Sequence, residues 1–359
     1  ATNEIFTLPY TPLFRSVNGS VAGTVSNVLY AGSSTAPTNA GTYAVKADFA
    51  PTDSTNFNTL SGAAAGNFVI NKASPTLAVN NSPQVYNGAA QAAKMGAALG
   101  VTPVGGTVSN ILYGGSGTAA TNAGSYVVTA NFAPGDTTNY NSVTNGAAGS
   151  FVINKATPTL SISNTPQVYD GTPKAATVTG SVAGTVSNVQ YDAAATAPTN
   201  AGTYAVTADF IPTNANYNTL SGASAGSFVI NKAAVTLSIS NSPVVYSGAA
   251  QAATVVGSVA GTVSNVLYGA SSAAPTNAGT YAVKADFTPT NTNYNTLSGA
   301  SAGNFVINKA TPTLAVTNSP QVYNGAAQAA TVVGSVAGTV SNVRYNGSLT
   351  VPTGAGSYP

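Results

Sequence analysis

The chain has no cysteine, no histidine and no tryptophan, a single methionine, and one glutamate, Glu4, in 359 residues. Each absence closes a class of chemistry. Without cysteine there is no disulfide staple and no thiol nucleophile. Without histidine the usual proton shuttle and the commonest zinc ligand are missing, and seven scattered aspartates are a poor substitute. Serine and threonine are plentiful, but a hydroxyl nucleophile needs an adjacent base. Charged residues make up 5% of the chain, against about a quarter of an ordinary soluble domain. The formal net charge of +2 rests on dispersed lysines, so no basic stripe exists to neutralise a phosphate backbone. No apolar run approaches the roughly 18 residues of a membrane-spanning helix. The expectation is a non-enzyme with no catalytic, cofactor-binding or metal-ligating residue, no nucleic-acid partner and no membrane span.

What is present is glycine, alanine, serine, threonine and asparagine, together with 18 tyrosines, 11 phenylalanines and many valines. A disordered chain would be short of the aromatic and β-branched residues, so this one can bury a core. It lacks both an initiator methionine, its only one being Met95, and a signal peptide, which reads as an internal fragment.

One unit is copied along the chain. The heptapeptide NFVINKA or SFVINKA places Lys72, Lys155, Lys232 and Lys309 at intervals of 83, 77 and 77 residues. Pro83, Tyr86 and Gly88 recur in the same register as Pro166, Tyr169 and Gly171, then Pro243, Tyr246 and Gly248, then Pro320, Tyr323 and Gly325. The longer interval comes from KMGAALGVTPVGGT (94–107) and APGDTTNY, both in Gly/Pro-rich sequence that reads as turn. Units are expected at 74–156, 157–233 and 234–310, with a partial copy at 17–73 and a truncated one at 311–359.

The signals within a unit are those of strands. In TYAVKADF, Tyr281, Val283, Ala285 and Phe287 alternate with Ala282, Lys284 and Asp286, the period of a strand with one buried and one solvated face. NFVINK, TLAVTNS and VSNVLY add β-rich runs bounded by Gly, Pro, Asn or Ser. Six or seven short strands in about 77 residues predict a small antiparallel sandwich of immunoglobulin-like type. The fold class is therefore all-β, a tandem array of such sandwiches. FVINK runs almost directly into the next TLAV, and Pro75, Pro158 and Pro312 favour extended backbone at the junctions, so an extended rod is expected.

The repeated motifs have structural readings. Gly88, Gly171, Gly248 and Gly325 are expected to supply positive φ after a tyrosine that packs inward. In NYN (139–141, 216–218, 293–295, and 56–58 with Phe57) the tyrosine hydroxyl is expected to bond backbone as in a tyrosine corner. Calcium at the junctions would need clustered carboxylates, and each unit offers one or two aspartates. A Lys–Asn cross-link would need an acid such as Asp48, Asp209 or Asp286, but the matching position in the second copy is Asn131, so a solvated lysine at a strand end is preferred.

From Val17 onward the sequence resembles the MBG and YDG repeats, bacterial immunoglobulin-like modules that occur in tandem in large secreted or surface proteins. Y-[NDS]-G, PTNAGTY and FVINKA carry the resemblance. It implies an extracellular or cell-surface location and brings no catalytic residues. Ser247 in the turn and PTGAGSY in the last copy depart from the pattern. Residues 1–16, ATNEIFTLPYTPLFRS, match no repeat and resemble the conceptual translation of a sequencing adapter; they are expected to be an artefact. Two function classes follow: a structural stalk that holds a terminal binding domain away from the cell, or repeats that themselves bind glycan or a host or matrix protein. The stalk is favoured, because the aromatics fall on inferred core and turn positions. The partners expected in either case are neighbouring repeats of the same chain.

Overall fold

The computed structural model describes residues 17–359, and every regular element among them is a β-strand. The chain is a tandem array of all-β repeats. The adapter-like segment with Glu4 and Arg15 lies outside the described residues. Two compact units are distinguished. The first takes the described residues up to Leu160 with 180–187 and 209–223; the second takes 161–179, 188–208 and 224–359.

The fourth repeat, wholly in the second unit, shows the plan. A four-stranded sheet runs in the order Val244–Val245, Leu297–Asn308, Gly279–Pro289, Gly261–Tyr268, and a two-stranded sheet pairs Leu237–Ile239 with Val255–Gly257. The alternation predicted for TYAVKADF is what the strand shows: Val283, Ala285 and Phe287 are buried while Ala282 and Lys284 face solvent. Leu237, Ile239 and Val255 of the small sheet pack on Val283, Phe305 and Ile307 of the large one. Tyr268, the last residue of its strand, sets its ring edge-on to Phe305 with centroids 6.2 Å apart. Its hydroxyl accepts the Ala253 N–H at 2.7 Å, so a buried phenol is satisfied and the two halves of the repeat are tied.

Two sequence expectations need correction. The long strand does not begin at NFVINK. It reaches back through LSGASAG to Leu297, because Gly299 (φ 56°) and Gly303 (φ 101°) absorb two register shifts against the neighbouring strand without ending the pairing. In the second repeat, in the first unit, the inserted KMGAALGVTPVGGT is not all turn. Met95–Leu99 pairs with Thr76–Val79 on one side and Thr102–Pro103 on the other, and Gly100 (φ 61°) turns the chain between them. The insertion thus enlarges the small sheet to three strands.

Among the described residues the outer repeats contain fewer strands. The first contributes the sheet Gly23–Tyr30, Gly41–Pro51, Leu60–Ile70; the fifth contributes Leu314–Val316 paired with Val332–Gly334. Among the described residues no helix is long and apolar enough to cross a membrane, a statement that does not address a β-barrel.

Candidate functional site

A recurring feature outside the strands is the junction between consecutive repeats, built from the repeated loop motifs. The alanine that closes FVINKA starts it. Ala156 donates its N–H to Asn216 O at 3.0 Å and accepts from Asn218 N–H at 2.8 Å, a parallel bridge around Tyr217 of the next repeat. Ala73 is bonded in the same way to Asn139 and Asn141, and Ala233 to Asn293 and Asn295. The one-residue step between repeats is therefore itself hydrogen-bonded.

The first asparagine of NYN then reaches back to the preceding repeat. Asn216 Oδ1 accepts the Ala123 N–H at 2.7 Å, and its Nδ2 donates to Asn122 Oδ1 at 3.0 Å. In the same geometry Asn139 accepts from Ala40 and donates to Asn39, and Asn293 accepts from Ala201 and donates to Asn200. Asn122, Asn200 and Asn39 belong to the TNAG segments, so this motif is the receptor for NYN. An amide suits the position because it offers an acceptor and a donor from one planar group. The loop is held ready by its own bonds: Asn291 Oδ1 accepts the Asn293 N–H at 3.0 Å, and Asp136 Oδ1 accepts those of Thr138 and Asn139.

Aromatic rings complete the junction. Tyr86 meets Tyr217 edge-on at 5.4 Å, and Asn214 Nδ2 donates to the Tyr86 hydroxyl at 3.2 Å. Tyr169 and Tyr294 repeat this at 5.4 Å, with Asn291 donating to the Tyr169 hydroxyl at 3.1 Å. The tyrosine of Y-x-G is thus a junction residue as well; Tyr86, partly buried, also packs on the core of its own repeat. Tyr246 and Tyr323 have no NYN loop against them among the described residues and are 42% and 65% exposed. The glycines that follow do take positive φ, between 82° and 85°. The tyrosine-corner bond also belongs elsewhere: Tyr281, of NAGTY, donates to Asn277 O at 2.9 Å, as Tyr43, Tyr126 and Tyr204 do to Asn39, Asn122 and Asn200. That bond shapes the receptor loop.

The aspartates weighed for a cross-link sit on the solvated face. Asp286 Oδ1 accepts the Gly299 N–H at 2.7 Å and Oδ2 accepts from the Asn265 amide, which lies in a bulge at φ 51°. Asp48 is bonded in the same way to Gly62 and Asn27, and Asp209 accepts from Gly222. Asn131 explains why the acid is dispensable, since its Oδ1 accepts the Asn145 N–H at 2.8 Å. The position requires an acceptor oxygen, which either side chain supplies. Lys72, two residues past the strand Leu60–Ile70, donates to Thr137 O at 2.7 Å, across the first junction. Asp170 accepts from Lys174 and Thr172, and these bonds hold its carboxyl far below the usual range. Among the described residues no three Asp, Glu, His or Cys side chains converge on a point.

The Asn265 amide, and after it the Gly299 N–H, hold the Asp286 carboxyl below its ordinary pKa. A carboxyl whose folded pKa is depressed stabilises the fold above its unfolded pKa, and loses that contribution as pH falls through the folded value. Acid should therefore loosen the 261–268 edge below about pH 4, and Asp286→Asn should remove that sensitivity while keeping the edge formed. Hydrogen exchange of residues 261–268 in both chains as a function of pH is the check; an unchanged acid response in the variant would refute the assignment.

The family model for the MBG domain matches residues 14–74, 75–157, 158–234, 233–311 and 312–359. A search of curated proteins returned no match. Among solved structures, Drosophila N-cadherin EC1-4 aligns over 79% of this chain and 86% of its own at 10% identity, with a TM-score of 0.19. A Bacteroides ovatus protein of a mixed-linkage glucan utilization locus, SGBP-B in complex with a mixed-linkage heptasaccharide, aligns over 64% of this chain and 66% of its own at 13% identity, with a TM-score of 0.13. Superpositions this poor bear on neither mechanism nor ligand.

Proposed function

The chain belongs to the MBG domain family, in five tandem matches, and from that premise we propose that it is a stalk segment of an extracellular or surface-bound adhesin-like protein, spacing a binding domain from the cell. The observation that carries this reading is the junction, which appears three times with the same donors and acceptors. A spacer needs repeats that fold locally and resist hinging. A one-residue step that is bonded on both sides, plus an amide and a ring that grip the preceding repeat, supplies resistance that a flexible linker would not. No catalytic step is assigned to it.

Small-angle scattering tests the reading. The radius of gyration should lie well above the roughly 20 Å of a single globule of this length; a value near 20 Å would refute a spacer. The competing reading, in which the repeats hold glycan, calls for exposed aromatic platforms. Tyr86 and Tyr169, which could have formed them, are instead turned against the rings of the following repeat. Binding of mixed-linkage or other glycans by the isolated chain would favour that reading over the stalk.

A further inference from the structure

In the second, third and fourth repeats, the first segment to join the large sheet lies beside the last strand and runs parallel to it. In the fourth, Val244–Val245 pairs with Ile307 and Asn308 of the strand Leu297–Asn308. Tyr246 extends the pair by donating its N–H to Asn308 O at 2.9 Å, and Ser242 extends it the other way, its Oγ accepting the Val306 N–H at 2.9 Å. The other strand pairs of this repeat are antiparallel. The second repeat has the same arrangement, with Gln84–Val85 on Ile153 and Asn154, flanked by Tyr86 and Ser82. In the third, Gln167–Val168 lies on Ile230 and Asn231, and Thr165 Oγ1 accepts the Val229 N–H at 2.9 Å. The side chain varies between copies and the hydroxyl acceptor does not. Core burial does not explain the pair, since Val85, Val168 and Val245 are each more than half exposed, and parallel pairing is slightly the weaker kind per residue. What the arrangement supplies is a direction.

The chain enters the fourth repeat before Val244 and leaves it after Asn308. Tension along the backbone therefore draws Val244–Val245 back toward residue 233 and Leu297–Asn308 on toward residue 310, in opposite directions along one axis. The hydrogen bonds between the two lie across that axis and must break together. Were the first and last segments antiparallel, the same pull would act at one end of the pair and part its bonds singly. We propose that these repeats bear tension along the chain, and that the parallel pair, with the flanking hydroxyl of Ser82, Thr165 or Ser242, is the clamp that resists it. Forced unfolding is governed by the unfolding rate and not by equilibrium stability, so a few bonds placed across the pull slow opening beyond their share of the folding free energy. The proposal deepens the stalk reading by saying what the spacer withstands. Its test reads one repeat by itself, so its failure and a failure of the scattering test are separate results.

The chain contains no cysteine, so a pair of introduced cysteines fixes where a force is applied to the full 359-residue protein. Ala234→Cys with Lys309→Cys pulls the fourth repeat along the clamp, and Ser247→Cys with Lys309→Cys pulls at the shared end of the parallel pair; all three positions are exposed. In magnetic tweezers at one force, opening should be at least about tenfold slower in the first geometry, because several bonds, each worth about two- to tenfold, break together. Adding Ser242→Ala in the first geometry should speed opening about two- to tenfold, the range for one hydrogen bond. Tyr268→Phe removes a bond of similar length, from the Ala253 N–H, away from the pair. It should lower the urea midpoint at least as much as Ser242→Ala and leave opening under tension nearly unchanged. Equal opening rates in the two geometries, or a Ser242→Ala acceleration no larger than that of Tyr268→Phe, would overturn the proposal.

Discussion

Replacing Phe305 by alanine is expected to unfold the fourth repeat selectively. The side chain is fully buried, lies edge-on to Tyr268 and packs beneath Leu237 and Ile239 of the facing sheet. Removing a buried phenylalanine costs about 3–5 kcal/mol, from lost transfer free energy and from the cavity left behind. A domain of this size has a total stability of only about 4–12 kcal/mol, at roughly 0.05–0.15 kcal/mol per residue, so the loss takes a large share of the margin. The matching change in the first repeat, Phe68→Ala, should cost less, because that ring is less completely buried. Hydrogen exchange resolved by peptide separates the two. Protection should collapse across 279–308 in the first variant, with a smaller loss across 41–70 in the second. Equal losses at both sites would mean that the first repeat is covered as fully as the fourth.

The second large effect is expected at a junction. Asn293 is a buried polar side chain whose amide accepts from Ala201 N–H at 2.7 Å and donates to Asn200 at 3.0 Å. Asn293→Ala leaves the part-buried Ala201 N–H without its acceptor and removes the amide donor, at about 1–3 kcal/mol for a buried group left unpaired. The loss falls on the coupling between the repeats and not on either core. In a linear array, stability is a sum of intrinsic and nearest-neighbour terms. The expected result is therefore a broadened or divided unfolding transition in urea, with the strands of the fourth repeat opening before those of the third. Asn216→Ala should act in the same way one repeat earlier. A variant that shifts the midpoint without changing the cooperativity would place the asparagine in an ordinary loop role.

How much of this was legible beforehand can be traced through particular residues. The strand at 279–289 was readable because its core positions alternate every second residue, a local property of the chain. The bulged stretch 297–303 was not, because glycine and serine end strands in most contexts, and only the partner strand shows that Gly299 and Gly303 keep the ladder going. The tyrosine-corner bond was expected at NYN and is made by NAGTY; both motifs place a tyrosine near a strand end, and the choice depends on which carbonyl lies four residues back in the folded turn.

The sequence by itself determined that this protein is a tandem β array and where its core strands run. Those are consequences of period, composition and copy number, which need no knowledge of what lies next to what. Only the tertiary structure decided that NYN and TNAG are the two sides of one clasp. Their partners lie 92 to 99 residues apart along the chain, and an asparagine amide looks the same in sequence whether it faces water or the backbone of the repeat before it. A hydrogen bond of that span leaves no local periodicity, so it becomes visible only once both loops have been placed in space.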